Sequence, residues 1–208
     1  MEQTRQNTSR MTFTDMMRKQ FQGVLDPIGK FLNRIGLKPN TVTVLGLAGN
    51  TIGAYFLAQG QMTIGGLLIL AMGPIDALDG TMARLRGEAT EFGAFVDSVT
   101  DRYSELVIFG GLLYYYLQAG DVLHAVLTYL AAAGSVLVSY TRARGQSLGY
   151  DTKVGFLTRF ERYLVLSPLL VLNLPQIAVW ILAIFANLTA LQRILDVRRQ
   201  AHQAKSNR

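Results

Sequence analysis

The stretch Asp76-Ala-Leu-Asp79-Gly80-Thr-Met-Ala83-Arg84, followed eight residues later by Gly93-Ala-Phe-Val-Asp97-Ser-Val-Thr-Asp101, sets four carboxylates inside segments that are otherwise apolar. A carboxylate in or near hydrocarbon is costly unless it is paired, hydrated or bound to a cation. On helices, Asp76 and Asp79 stand at i,i+3 and Asp97 and Asp101 at i,i+4, so each pair shares a face. A hairpin of the two segments brings both pairs to one end. Like charges so close repel strongly in a low dielectric, and a divalent cation, or better two, removes the repulsion. Hard oxygen donors suit Mg²⁺ or Mn²⁺ rather than zinc, and the chain has no Cys. Any one of these acids is also accounted for as a helix-end partner of Arg84 or Arg102; four together leave an excess of acid. Gly80, Ala83, Gly93 and Ala94 are small enough for close helix approach and leave space for a phosphate, which Arg84 is placed to meet.

The flanking sequence predicts an all-α integral membrane protein. No charge occurs between Pro39 and Ile75, or from Tyr163 to Gln192, and only His124 is titratable from Val122 to Thr141. A spanning helix needs roughly 20 apolar residues. About six spans are expected, at 41–59, 62–85, 91–118, 122–144, 156–173 and 175–196, with Asn40 or Thr41 capping the first. Before them, apolar residues from Phe13 to Ile35 recur every three or four positions, which predicts an amphipathic interfacial helix, broken near Pro27. Three regions follow: a tail and amphipathic helix over 1–38, a six-helix catalytic domain over 39–197, and a basic tail over 198–208. Residues 1–12 read as polar and mobile, and no cleavable signal peptide is expected.

The net charge of +6 does not point to nucleic acid, because the basic residues fall between apolar spans. With the N-terminus placed in the cytosol, all 20 Lys and Arg lie on that side. The short connections at 59–61, 119–121 and 173–175 carry none. The positive-inside rule then puts both termini and the acid cluster on the cytosolic side. Tyr114, Tyr115 and Tyr116 are expected in an aromatic belt at the far side, and Gly110, Gly111 and Gly134 at close helix contacts, including a dimer seam.

A second cluster, Ser139-Tyr-Thr-Arg142-Ala-Arg144 with Arg159, Arg162 and Arg193, gathers guanidiniums near span ends. Such forks bind phosphate bidentately and suggest an anionic substrate; anchoring to anionic lipid is the plainer alternative. An ion pair is expected between Glu161 and Arg162, and another between Asp196 and Arg193 or Arg199.

The string Asp-x2-Asp-Gly-x2-Ala-Arg-x8-Gly-x3-Asp-x3-Asp resembles the signature of the CDP-alcohol phosphatidyltransferases at every defining position, over 76–101. The resemblance implies transfer of a phosphatidyl group from CDP-diacylglycerol to an alcohol, with release of CMP. It implies that Asp76, Asp79, Asp97 and Asp101 bind Mg²⁺ or Mn²⁺, two ions together, and that Asp101 is also the general base. It implies that Gly80, Arg84 and Thr90 contact the CDP part and that Pro39, Asn40, Thr41 and Val42 line the nucleotide pocket. The Ser139–Arg144 run, with Arg159, Arg162 and Arg193, resembles the acceptor-phosphate pocket of prokaryotic phosphatidylinositol phosphate synthases, although that subfamily often has Lys where Arg142 stands. A water-soluble inositol phosphate is the expected acceptor, glycerol 3-phosphate the alternative, and a homodimer the expected assembly. Outside the class, a cation transporter with the four acids in its ion path explains the acids but not the glycines and arginine between them.

Overall fold

The computed structural model describes residues 13–88 and 90–206, with side chains over 23–88 and 90–204. The polar stretch 1–12 and Arg208 lie outside the described residues, as do the side chains of Arg18, Lys19 and Lys205. Seven helices and no strand occur among the described residues. They are α1 Phe13–Arg34, α2 Pro39–Ala58, α3 Met62–Arg86, α4 Glu91–Gln118, α5 Val122–Ser147, α6 Arg159–Val171 and α7 Pro175–Ser206. Each expected span falls on one of α2 to α7. Four of them (α2, α3, α5 and α7) are long and apolar enough to cross a membrane. The other two differ for plain reasons: α4 has 28 residues but carries charged turns, and α6 has only 13 residues.

Local chemistry sets the ends. Pro39 occupies the first turn of α2, with Lys38 at the cap and no side-chain cap bond. Proline's fixed φ suits that position, so the helix starts before the expected caps Asn40 and Thr41. Thr90 Oγ1 caps α4 by accepting from the Gly93 N–H at 3.0 Å. Asp121 caps α5, and its carboxyl is held below the usual carboxylate range by the His124 backbone N–H and then by the His124 ring. Gly60 and Gly120 close the first and third connections at φ 76° and 71°, where other residues are strained. α1 runs through Pro27 without a break.

The helices close a ring. α2 packs on α3 and α4, α3 on α6, α6 on α7, α7 on α5, and α5 back on α4, while α1 lies outside against α3. α3 and α4 follow one another as the expected hairpin, but without extensive packing between them: α2 packs on both. Small residues set the crossings. A Cβ at Gly66 would lie 2.6 Å from the Val171 nitrogen of α6, and one at Gly134 3.0 Å from the Asn187 nitrogen of α7. Gly111 abuts the Ala54 backbone of α2, whereas Gly110 meets nothing within 4 Å. Leu57, Ile69, Phe109, Leu112, Leu170 and Leu182 fill the interior. Tyr116 joins them, 1% exposed and stacked on His124, so only part of the tyrosine run lies at the surface. Val44, Leu45, Ile52 and Tyr55 are more than half exposed on α2, as lipid contact requires.

α1 presents Val24, Ile28 and Phe31 outward, and Ile35 just after it is exposed as well. Its other side is tied to α3: Asn33 Nδ2 donates to the Met82 carbonyl at 3.2 Å, and Arg86 Nε to Asn33 Oδ1 at 2.6 Å.

Candidate active site

Asp76 and Asp79 lie in the last three turns of α3, and Asp97 and Asp101 in the first three of α4. The gap left where α3 and α4 do not pack is the space they share. Asp79 is buried and accepts from Thr43 Oγ1 of α2 at 2.6 Å. Asp76 comes so near α2 that a Cβ at Gly46 would sit 2.5 Å from its Oδ1. Asp97 is half-buried and close enough to Asp76, Asp79 and Asp101 to repel each. Arg159, from the first turn of α6, bridges the helices: its Nη2 lies 3.1 Å from Asp76 Oδ2 and 2.5 Å from Asp101 Oδ1. Arg102 Nη1 stands 3.5 Å from the other oxygen of Asp101.

Does this donor set suit a divalent ion? Among the described residues no three acids or histidines converge in ligating geometry. A guanidinium stands instead between two of the acids, and it marks where positive charge is stabilised. The four carboxylates face two arginines, so negative charge remains in excess, and every donor is a hard oxygen. The chemistry fits Mg²⁺ or Mn²⁺. Room is present as well. Gly80 meets only Arg84 Nη1 of its own helix, at 3.5 Å, and Gly93 only Thr90 Oγ1, at 3.2 Å. Among the described residues neither glycine makes a close contact with a neighbouring helix, so of the two expected uses, close approach and space, only space accords with the structure.

The other expected residues divide into those that face the gap or surface and those that do not. Pro39, Asn40 and Thr41 form the first turn of α2, with Asn40 and Thr41 exposed. Val42 turns instead into a small apolar cluster with Leu25, Leu78 and Met82. Arg84 is exposed and donates to Thr81 Oγ1 at 2.9 Å, and the Thr90 hydroxyl is the α4 cap. On α5, Ser139 is half-buried, and Arg142 and Arg144 are exposed.

Arg162 and Arg193 are held inside, 2% and 3% exposed. Arg162 forms a bidentate pair with Glu105, at 2.7 and 3.0 Å, one turn beyond Asp101. The expected Glu161–Arg162 pair is absent. Glu161 Oε2 accepts from the Thr158 N–H at the start of α6, because a glutamate at the third helical position reaches back to its own cap. Arg193 donates to the carbonyls of Val154 at 3.0 Å and Val138 at 2.6 Å, tying the 148–158 connection to α5. Direct contact of Arg162 with a soluble anion would require a buried group to release its bonds, whereas Arg142 and Arg144 are exposed and Arg159, half-exposed, would release Asp76 and Asp101. Asp196 accepts from Gln200, and no arginine pairs with it among the described ion pairs.

Sequence reasoning missed Thr43, Glu105 and Tyr163. Tyr163 had a signal in the chain. Pro74 lacks the N–H that the Leu70 carbonyl of α3 would receive, and the Tyr163 hydroxyl supplies it at 2.6 Å, pinning α6 to α3.

Similarity to known proteins agrees with this arrangement. The pattern described as CDP-alcohol phosphatidyltransferase matches residues 37–191. A phosphatidylinositol phosphate synthase of Streptomyces avermitilis is 41% identical over 88% of this chain and 82% of its own length. An archaetidylinositol phosphate synthase of Pyrococcus horikoshii is 34% identical over 88% of this chain and 96% of its own. The crystal structure of the Mycobacterium tuberculosis phosphatidylinositol phosphate synthase with CDP-DAG bound superposes with a TM-score of 0.79 at 30% identity, covering 84% of this chain and 93% of that one. The structure of the same enzyme in complex with manganese and citrate gives the same TM-score of 0.79 at 30% identity, over 83% and 88%.

Proposed function

The chain belongs to the CDP-alcohol phosphatidyltransferase family, and we propose that it transfers a phosphatidyl group from CDP-diacylglycerol to myo-inositol phosphate, giving phosphatidylinositol phosphate and CMP. It is an integral membrane transferase that joins a lipid donor to an alcohol acceptor and uses Mg²⁺ or Mn²⁺. The observation that carries the proposal is the gap itself. Four carboxylates from α3 and α4 gather at one end of the ring, beside Arg159 of α6. An ion path would spread acids along the bundle; here they gather at one end.

In this proposal Asp76, Asp79, Asp97 and Asp101 hold two divalent ions, which when bound neutralise the diphosphate and stabilise charge on the departing CMP. Asp101 takes the proton of the acceptor hydroxyl as that oxygen bonds to the lipid-bearing phosphorus and the bond to CMP breaks. Gly80 leaves space for the diphosphate, Arg84 and Thr90 meet its charge, and the first turn of α2, Pro39 to Val42, borders the nucleotide. Ser139, Arg142, Arg144 and Arg159 meet the acceptor phosphate. Arg162 and Arg193 are held behind them, so charge converges on that spot. The donor's acyl chains stay in the bilayer, and the acceptor arrives from water. Residues 39–197 form the catalytic domain between an interfacial segment, 1–38, and a basic tail, 198–208. Both termini and the gap lie on the cytosolic side, and the protein works as a homodimer.

The acceptor is tested by product mass spectrometry with CDP-diacylglycerol, Mn²⁺ and, in turn, inositol phosphate, glycerol 3-phosphate and serine. Phosphatidylinositol phosphate is expected as the main product. Phosphatidylglycerophosphate in its place would move the assignment to the alternative acceptor.

A further inference from the structure

Arg159 and Arg162 stand one turn apart at the start of α6 and are held in opposite ways. The Arg162 side chain is 2% exposed and doubly bonded to Glu105. The Arg159 side chain is 45% exposed, yet it bridges Asp76 and Asp101, whose side chains are 21% and 9% exposed. Removing a buried guanidinium strands the charge of its partner and is strongly unfavourable. A half-exposed guanidinium loses little on leaving, because water takes up its donors. The pair of acids behaves differently: in its sheltered position a nearby cation is what stabilises its charged form.

We propose, on the phosphatidyltransferase assignment above, that Arg159 is an exchangeable counter-cation. It holds Asp76 and Asp101 until a divalent ion takes those acids, and then turns to the phosphate of the acceptor alcohol. Three observations support the exchange. Arg159 is the group that joins α6 to both acid-bearing helices, at oxygens an ion would use. The backbone beneath it is pinned, by Arg162 to α4, by Tyr163 to α3 and by the Glu161 cap, so only a side-chain rotation is required. Arg142 and Arg144 on α5 supply exposed positive charge for the same kind of anion. The consequence is a coupling. An ion frees Arg159 for the acceptor phosphate, and an acceptor that holds Arg159 vacates the acids for the ion. Until both are present, Asp101 remains tied to a guanidinium and does not accept a proton, which orders the reaction.

The test is an electron paramagnetic resonance titration of Mn²⁺ into the purified full chain in micelles, with and without inositol phosphate. The wild type is expected to bind Mn²⁺ at least about fivefold more tightly when the acceptor is present, the lower range of allosteric coupling. Arg159→Gln is expected to bind Mn²⁺ more tightly than wild type without acceptor and to lose the tightening. It should also melt at lower temperature than wild type in chelator and recover with Mn²⁺. If Arg159→Gln does not fold, Arg159→Lys serves, since a lysine bridges the two acids less well and should bind Mn²⁺ more tightly than wild type. Wild-type affinity indifferent to acceptor, or variant affinity equal to or weaker than wild type, overturns the proposal. These outcomes are separate from failure of the enzyme assignment, which would appear as no CMP from any donor and acceptor pair.

Discussion

Both oxygens of Asp101 face guanidiniums, Arg159 at 2.5 Å and Arg102 at 3.5 Å, and the residue sits where α4, α6 and the gap meet. Asp101→Asn keeps its size and removes both its charge and its capacity to accept a proton. Turnover should fall by about 10²–10⁴, the usual weight of general-base catalysis, while the melting temperature stays near wild type. Full turnover in that variant would remove Asp101 as the base. Glu105 is the structural counterpart one turn on. Glu105→Ala leaves the Arg162 charge buried and unpaired, at a cost of about 3–5 kcal/mol, readable as a large fall in melting temperature. An unchanged melting temperature would mean that Arg162 finds another partner. The four aspartates were legible because their i,i+3 and i,i+4 spacing and their apolar surroundings are local facts. Thr43 and Glu105 were not, because their partners Asp79 and Arg162 lie 36 and 57 residues away and on different helices. For the same reason Glu161 was assigned to its sequence neighbour Arg162 when its bond is to the Thr158 N–H.

At the scale of elements, adjacent glycines on α4 make a controlled comparison. Gly111 lies against the Ala54 backbone of α2, and Gly110 meets nothing within 4 Å. Gly111→Ala should destabilise by about 1–3 kcal/mol, because backbone cannot move aside for the new methyl. Gly110→Ala should be neutral or stabilising by up to about 1 kcal/mol, since alanine favours the helix. Melting curves of the two variants in micelles check this, and equal behaviour would contradict the α2–α4 crossing. The existence of α2, α3 and α5 followed from uncharged runs and connection glycines, which are again local. The order of packing did not follow. α3 and α4 are neighbours in sequence, but α2 packs on both, and the small residues at those crossings, Gly53, Gly65 and Gly111, look alike in a sequence whatever helix they face. The shortness of α6 was also hidden, because the apolar run before α7 continues through Leu172–Leu174, where the helix has already ended.

The whole molecule joins a lipid-facing ring of helices to one polar end. Its lack of cysteine makes the proposed orientation directly measurable. Single replacements Gln61→Cys, Gln118→Cys and Gln203→Cys fall at exposed positions at opposite ends of the helices. In intact cells an impermeant maleimide should label the first two and spare the third; the reverse pattern would invert the topology. Chelation should abolish turnover and leave the helical content intact, since the core clusters contain no metal ligand, with Mg²⁺ or Mn²⁺ restoring activity. The most direct measurement is CMP release by purified protein given CDP-diacylglycerol, Mn²⁺ and inositol phosphate. CMP and phosphatidylinositol phosphate are expected in equal amounts from the wild type, and both lower by about 10²–10⁴ from Asp101→Asn. No CMP from the folded wild type with any alcohol offered would contradict that expectation.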